Sequence, residues 1–112
     1  MIVCGGRDYS DHERIARELE RVWRKHPAAT LVHGGASGAD TLAGIWASRA
    51  GIAVEIHPAR WDLHGRAAGP RRNAELAALP DVLGVVAFPG GRGTADMISR
   101  ARARGIPVHQ IT

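Results

Sequence analysis

The sequence has one cysteine, one lysine and few aromatic residues. A single thiol at Cys4 cannot form an internal disulfide, which excludes the small secreted folds that cysteine bridges hold together. No apolar run approaches the roughly 20 residues that a membrane span needs. The apolar start at residues 1–4 is also too short for a signal peptide. These absences predict a soluble, cytoplasmic protein.

The motifs that most often bind nucleotides or metals are missing too. Gly-x-Gly-x-x-Gly does not follow the first apolar run, and Gly-x-x-x-x-Gly-Lys-Ser/Thr occurs nowhere. The histidines lack the spacing of metal ligands, although His33 and His57 each close a predicted strand and either could face a cleft. The sequence therefore favours neither ordinary dinucleotide binding nor triphosphate hydrolysis, and it implies no metal and no cofactor.

The chain is long enough to form one hydrophobic core, and it is rich in arginine. A domain of 112 residues is expected to bury about 60–70% of its unfolded surface, so residues 1–112 are predicted to form a single domain. The formal net charge is +4, and every basic residue except Lys25 is an arginine. This charge permits an anionic ligand without requiring one.

Short apolar segments alternate with segments of helical period along the whole chain. Ser10 and Glu13 fit a capping box for the first helix, and Thr94 is placed to cap the last. The alternation predicts an α/β, Rossmann-like three-layer domain with a five-stranded parallel sheet in the order 3-2-1-4-5. Strands are predicted at residues 1–4, 30–33, 53–57, 82–88 and 107–111, and helices at residues 11–26, about 41–50, 71–79 and 94–104.

Glycine-rich loops follow the first, second and fourth predicted strands. In a parallel sheet of this order, all three lie at the carboxyl edge, beside the switch point where ligands bind. The loop at residues 89–93 leads into the last helix, so its backbone N–H groups and the helix dipole suit an anion, best a phosphate. For one such loop alone, the alternative is a tight turn that binds no ligand. The convergence of three loops makes this alternative less favoured.

Two of these loops carry a resemblance to a known family. Residues 89–94, PGGRGT, look like the PGGxGT signature of the Lonely Guy (LOG) phosphoribohydrolases. Residues 33–40, HGGASGAD, are similar to the second-strand glycine loop of LOG and DprA proteins. Together they resemble the SLOG superfamily, which has a Rossmann-like fold. Residues 5–8, GGRD, and 69–73, GPRRN, look most like its small YspA/YpsA-related branch.

The resemblance implies a reaction and a catalytic pair. LOG enzymes hydrolyse the N-glycosidic bond of a nucleoside 5′-monophosphate with an arginine and a glutamate. The arginine role carries over to Arg72, but Met97 stands at the glutamate position, and methionine cannot bear charge or activate water. Asp96 lies one position earlier, about 100° round the helix, and is either a substitute acid or a helix N-terminal carboxylate. Asp8 and Asp40 are other carboxylates near this edge, and Asp40 is expected to cap or brace its loop.

These observations favour a protein that binds or senses a nucleotide-type ligand. The ligand is expected to be a nucleoside monophosphate, an ADP-ribose-like molecule or another NAD-derived nucleotide. Trp61 either stacks on the base or anchors a core or interface, and Arg72 and Asp96 are the catalytic candidates. The predicted phosphate-binding residues are Gly5, Gly6, Arg7, Gly34, Gly35, Ser37, Gly38, Arg71, Arg72, Pro89, Gly90, Gly91, Arg92, Gly93 and Thr94.

Two other functions stay open on the sequence. One is a phosphoribohydrolase in which Asp96, Asp8 or Asp40 replaces the missing glutamate. The other is single-stranded nucleic-acid binding, as in DprA; the positive charge permits it, but an aromatic content of 4% leaves few stacking platforms. A homodimer is also expected, because small domains of this superfamily often pair and an apolar surface is predicted at Trp23, Trp46 and Met97.

Overall fold

Five short parallel strands form one sheet in the order β3-β2-β1-β4-β5. In the computed structural model, which describes residues 1–112, Ile2 of the central strand pairs with Val32 on one side and Val85 on the other. The α/β class and the predicted strand order are confirmed. The strands are β1 Ile2–Cys4, β2 Leu31–His33, β3 Val54–Ile56, β4 Val85–Ala87 and β5 Val108–Gln110.

Helices cover both faces of the sheet and complete three layers. α1 and α2 pack on one face, and α4 and α5 pack on the other. None of the helices combines the length and apolar character needed to cross a bilayer. The helices are α1 His12–Lys25, α2 Ala39–Arg49, α3 Trp61–His64, α4 Ala68–Ala77 and α5 Arg92–Ala103, and a 3-10 turn at Gly65–Ala67 joins α3 to α4.

Alternate residues of the central strands point into two separate cores, as the pleat of a strand requires. Val3 and Val86 join the core beneath α1 and α2, whereas Ile2 and Val85 join the core beneath α4 and α5. Because both faces are covered, the strands read as continuous apolar runs. The carboxyl ends of β1, β2 and β4 therefore open at one edge of the sheet, where the three glycine loops begin.

Two predicted helix caps are wrong. Asp11, not Ser10, caps α1, because its carboxylate accepts a 3.0 Å hydrogen bond from the N–H of Arg14. Aspartate and serine are equally good caps, so the pattern alone could not choose between neighbours. α5 begins at Arg92 with Gly91 as its cap, and Thr94 is therefore a buried residue of the first turn.

The segment predicted to be mostly loop, residues 60–69, contains α3, the 3-10 turn and the start of α4. α4 begins at Ala68, so Pro70 is its third residue rather than its opening residue. A proline in the first turn costs no helical hydrogen bond, because those N–H groups have no partner within the helix. The earlier start aligns Arg72 and Asn73 with the sheet edge.

The apolar residues expected to support a homodimer are mostly interior. Trp23 and Met97 are buried, and the indole N–H of Trp23 donates to the carbonyl of Ala29 at 3.0 Å. Trp46 is half-buried with its ring centroid 5.6 Å from that of Trp23, in an edge-on arrangement. Trp23 and Trp46 thus hold α1 against α2, and the predicted apolar surface is not formed.

Candidate functional site

The three glycine loops are bonded to one another above the sheet. They are loop 1 (residues 5–8), loop 2 (residues 34–38) and loop 3 (residues 89–93). The N–H of Gly6 donates to the carbonyl of Pro89 at 2.9 Å, and the hydroxyl of Ser37 donates to the carbonyl of Arg7 at 3.0 Å. Over them lies a cleft of about 770 Å³, a volume within the range of small-molecule sites.

Loop 2 is held by a carboxylate of the protein itself. Asp40, in the first turn of α2, accepts hydrogen bonds from the N–H groups of Gly34 at 3.0 Å and Ala36 at 3.2 Å. Burial raises the pKa of the Asp40 carboxyl. The hydrogen bonds from Ala36 and Gly34 and the charges of His33 and Arg72 oppose this rise without cancelling it. Asp40 therefore occupies the place at the start of α2 where a bound anion would otherwise lie.

The two strand-end histidines do not face the cleft. His33 is buried, and its Nδ1 accepts a 3.0 Å hydrogen bond from the N–H of Gly35. A Cβ at Gly44 of α2 would stand 2.8 Å from the other ring nitrogen, so the ring lies against that helix. Burial lowers the pKa of His33, which fits a neutral ring accepting a hydrogen bond. His57 pairs with Glu55 at 2.8 Å and does not line the cleft.

Loop 3 differs from loop 2 because its amides have no acceptor in the protein. The five successive N–H groups of Gly90–Thr94 donate no hydrogen bond to another protein group, and the N–H of Ala95 is the first to do so, to the carbonyl of Gly91 at 3.0 Å. Gly91 caps α5 without a side chain. Free N–H groups at a helix start, with the positive end of its dipole, favour an anion.

Packing beneath loop 3 fixes where side chains are excluded. A Cβ at Gly90 would stand 2.7 Å from the backbone nitrogen of Gly6 and would overlap the hydroxyl of Thr94. Gly91 and Gly93 instead face open space. Buried Thr94 therefore supports the loop from below, and Gly91 and Gly93 leave its outer face uncovered.

Arg72 is engaged by the backbone. Its Nη1 donates to the carbonyl of Gly34 at 2.7 Å and to that of His57 at 3.4 Å, while its Nε donates to the side-chain oxygen of Asn73 at 3.0 Å. The guanidinium thus ties α4 to the segments that follow β2 and β3. This bracing contact is one that the sequence motif does not indicate.

Three other arginines, Arg7, Arg66 and Arg92, line the cleft and have no carboxylate within ion-pair distance. Arg66 was not predicted from the sequence, because it lies in the irregular segment.

The predicted phosphate-binding residues fall into three groups. Those that line the cleft are Gly5, Gly6, Arg7, Gly34, Arg72, Gly91, Arg92, Gly93 and Thr94. Gly35 and Ser37 line a smaller neighbouring cavity, and the residues that line neither are Gly38, Arg71, Pro89 and Gly90.

Asp96 lines the cleft beside loop 3 as part of a polar network. Its Oδ2 accepts hydrogen bonds from the side-chain amide of Asn73 at 3.0 Å and from Nε of Arg100 at 2.9 Å. The same amide of Asn73, which is buried, also donates to the carbonyl of Gly93 at 3.1 Å. Asn73 therefore links α4 to loop 3 and fixes the Asp96 carboxylate, a role that its place beside Arg72 in the sequence does not reveal.

The floor of the cleft offers no thiolate, and the carboxylates that line the cleft are those of Asp8, Asp40 and Asp96. Cys4 is only partly exposed there, and burial raises its pKa to about 12, with the charge of Asp40 adding to the rise and that of Arg72 opposing it. It is therefore a neutral thiol near pH 7, whereas nucleophilic attack needs the thiolate. Met97, at the position of the missing glutamate, is buried in the core against the sheet.

Trp61 stands at the mouth of the cleft on α3. Its residue is 49% exposed, and the guanidinium carbon of Arg7 lies 5.1 Å from the ring centroid. An exposed cation–π contact of this kind contributes about 0.5–1 kcal/mol. Gly69 closes in on the ring, since a Cβ there would stand 3.4 Å from it. Trp61 is thus a cleft residue, and Arg7 covers one face of its ring.

The parallel sheet, its switch-point cleft and the glycine loops define a Rossmann-like α/β domain with a cleft at the carboxyl edge. Residues 1–64 match the family described as "YspA, cpYpsA-related SLOG family". The chain belongs to this family, which confirms the resemblance seen in its motifs and favours a nucleotide-related role.

The chain is also similar to a phage protein. It is 36% identical over 117 residues to the Gene 61 protein of Mycobacterium phage D29, an alignment that covers 96% of this chain and 92% of that protein. No solved structure matches the chain. The likeness extends beyond residues 1–64 and so includes the part of the chain that carries loop 3.

Proposed function

We propose that the cleft binds a nucleotide-type ligand and holds its phosphate at loop 3. The observation that carries this proposal is the run of N–H groups at the start of α5 that have no acceptor in the protein, four of which, Gly91–Thr94, belong to residues that line the cleft. A phosphate accepts several such hydrogen bonds at once and is further favoured by the helix dipole. Loop 2 is not the phosphate site in this proposal, because Asp40 and His33 already accept the hydrogen bonds of three of its five N–H groups.

Charge in the cleft supports the same placement. Arg92 lies in the first turn of α5, and Arg7 belongs to loop 1, which is bonded directly to loop 3 through Gly6. Neither arginine has a carboxylate partner, so each is available for a charge-assisted hydrogen bond to a phosphate oxygen. Anion binding at loop 3 would pair these charges in a cleft that the carboxylates of Asp8 and Asp96 also line.

The rest of the cleft suits the remainder of a nucleotide. Trp61 offers an aromatic face to a base, and the fixed carboxylate of Asp96 can accept hydrogen bonds from ribose hydroxyls. The proposed ligand is a nucleoside monophosphate, ADP-ribose or another NAD-derived nucleotide. Membership of the SLOG family agrees with this class of ligand.

A thermal-shift screen tests the proposal, with AMP, GMP, CMP, UMP, ADP-ribose, cyclic ADP-ribose, NAD and inorganic phosphate as probes. A ligand at 100 times its Kd adds about 2.7 kcal/mol to the unfolding free energy, and we expect a Tm rise of roughly 10 °C for a domain of this size. Arg92→Met should reduce the shift, because it removes a free cation beside loop 3.

The matched control is Arg104→Met, which removes an exposed arginine just beyond the other end of α5. It should leave the ligand-induced shift at its wild-type size. Arg72→Ala is less informative, because the loss of its bonds to the carbonyls of Gly34 and His57 is expected to lower Tm without any ligand. No shift with any probe would contradict the proposal.

The position of Asp96 favours a second candidate function, that of a phosphoribohydrolase that uses this carboxylate in place of the missing glutamate. It lines the cleft one turn into α5, beside the proposed phosphate site. The experiment is to incubate the protein with each bound nucleotide and measure free base by chromatography, with Asp96→Asn as the comparison. Base release that the substitution abolishes would identify an enzyme, and binding without release would leave a sensor or binding module.

A further inference from the structure

A second cavity, the amino-edge groove, lies at the edge of the sheet opposite the cleft. It is lined by Met1 and by residues from the segments 21–26, 83–86 and 107–109, so its walls are the end of α1 and the beginnings of β4 and β5. Its volume is about 450 Å³, which lies within the range of ligand sites. None of its lining residues also lines the cleft, so the two are separate surfaces.

The amino-edge groove has an apolar wall that the protein itself leaves partly open. Leu83, just before β4, is 48% exposed. One exposed leucine on a convex surface is ordinary, but Leu83 lines a concave surface together with Val22 and Val108, which are only partly buried. An apolar side chain that enters the groove would therefore lose contact with water on several sides at once.

The ionisable side chains that line this groove are all basic, and they are Arg21, Lys25, His26 and His109. Arg21 and His109 already face the buried carboxylate of Glu18, with nitrogen–oxygen distances of 3.9 and 3.8 Å. Lys25 and His26 have no carboxylate within ion-pair distance. The groove thus combines an apolar wall with a free cation, which is complementary to a carboxylate beside an apolar side chain.

We propose that the amino-edge groove docks an acidic peptide segment of a partner protein. A carboxylate of the peptide pairs with Lys25, and a neighbouring apolar side chain inserts against Leu83 and Val108. The groove reaches β5, the edge strand of the sheet, and an edge strand can pair with an extended peptide through its outer backbone groups. The chemistry of the groove thus matches a peptide in its charge, its apolar anchor and its backbone.

Two other occupants match the groove less well. A second copy of the chain, docked by a two-fold contact centred on the groove, would bring Lys25 and His26 close to their own equivalents, and like charges repel. Nucleic acid has the required negative charge, but no tryptophan, tyrosine or phenylalanine lines the groove to stack on a base. A peptide is the occupant that uses both the cation and the apolar wall.

The first experiment selects binders from a random heptapeptide library displayed on phage. The library is panned on wild type and, separately, on Lys25→Glu. Among the peptides that bind wild type but not Lys25→Glu, we expect enrichment of aspartate or glutamate next to an apolar residue. The proposal is wrong if no peptide distinguishes the two proteins, or if those that do are not enriched in acidic residues.

The second experiment measures the affinity of a selected heptapeptide, labelled with fluorescein, by fluorescence anisotropy. Lys25→Glu should weaken binding about tenfold or more, because it places a carboxylate against the acidic peptide. Leu83→Ser should weaken it about fivefold, because the apolar contact is lost. Both positions are exposed, so both variants are expected to fold.

Arg49→Glu is the matched control for the charge reversal. Arg49 is exposed in the last turn of α2, as Lys25 is in the last turn of α1, but it does not line the groove. Both substitutions change the net charge equally and place an acid at the negative end of a helix dipole. In about 0.15 M salt, which screens exposed charges more than ~8 Å apart, Arg49→Glu should change the Kd by no more than about twofold.

The remaining outcomes show which site and which partner are involved. Equal weakening by Lys25→Glu and Arg49→Glu would reduce the effect to net charge and overturn the proposal. A single-stranded oligonucleotide that displaces the peptide from wild type and does not bind Lys25→Glu would assign the groove to nucleic acid instead. Arg92→Met, in the cleft, should leave the peptide affinity unchanged, so this proposal and the proposed nucleotide site stand or fall separately.

Discussion

Asp40→Ala is expected to lower the unfolding free energy by about 3 kcal/mol, because it removes the only acceptor for two backbone donors of loop 2. Both bonds, from Gly34 and Ala36, go to one oxygen of a carboxylate that is itself buried. A buried N–H left without an acceptor loses its bond to water in the unfolded chain and gains nothing on folding. Urea unfolding gives the free energy, and Tm should fall by roughly 10–15 °C.

Two variants show whether the effect comes from the lost acceptor. Asp8→Ala removes an exposed carboxylate of loop 1 that accepts no hydrogen bond, and a substitution of that kind usually changes stability by less than about 0.5 kcal/mol. Asp40→Asn keeps an oxygen at the acceptor position and should recover much of the loss. Equal stabilities for Asp40→Ala and Asp8→Ala would show that Asp40 does not hold loop 2.

The pH dependence of the same comparison has a definite sign. Because burial raises the pKa of the Asp40 carboxyl, the folded protein keeps this proton at a pH where the unfolded chain has lost it. The contribution of Asp40 to stability is therefore complete below its unfolded pKa and declines as pH rises through the folded pKa. The free-energy difference between wild type and Asp40→Asn should decrease over that interval, and an increase would contradict this assignment.

The sequence predicts the architecture because burial leaves a strong pattern. A strand that is covered on both faces, such as β4 at Val85–Ala87, must be apolar throughout. Right-handed crossovers then leave few possible strand orders, and the predicted one is observed. The weaker predictions lie at helix ends and in residues 60–69, where α3 has only four residues and shows no measurable period.

The difference between loop 2 and loop 3 could not be predicted in the same way. Both are glycine-rich loops that run from a strand into a helix, and both were expected to bind phosphate. What separates them is whether their N–H groups already have acceptors, which depends on the rotamer of Asp40 and on the ring of His33. Side-chain geometry of this kind has no periodicity, so a motif that shows where a loop lies does not show which amides are free.

Arg72 illustrates a second limit of motif transfer. The family pattern marks this arginine as catalytic, and it does line the cleft. Its hydrogen bonds, however, go to backbone carbonyls after β2 and β3. The motif records that an arginine is needed at this position but not which of its N–H groups are already engaged. In this chain the unpaired arginines of the cleft are Arg7, Arg66 and Arg92.

Gly38→Ala has the largest effect that we expect in this protein, a loss of about 4 kcal/mol or more in unfolding free energy. Gly38 precedes α2 with φ +73° and ψ −126°, a conformation essentially restricted to glycine. A Cβ there would also stand 2.5 Å from the carbonyl carbon of Arg7 and overlap the carbonyl oxygen of Gly6. Those atoms are backbone and cannot rotate away, so loop 1 and loop 2 would have to separate.

Gly51→Ala is the control for a positive φ without overlap. Gly51 has nearly the same φ, +74°, but a Cβ there meets nothing within 4 Å, so only the backbone cost of about 1–2 kcal/mol is expected. If Gly38→Ala does not fold, Ser37→Ala tests the same junction more gently, by removing the 3.0 Å bond to the carbonyl of Arg7. Similar losses for Gly38→Ala and Gly51→Ala would mean that loops 1 and 2 are not packed as tightly as this geometry requires. A much larger loss of unfolding free energy for Gly38→Ala would show that loops 1 and 2 pack together beneath the cleft only because position 38 has no side chain.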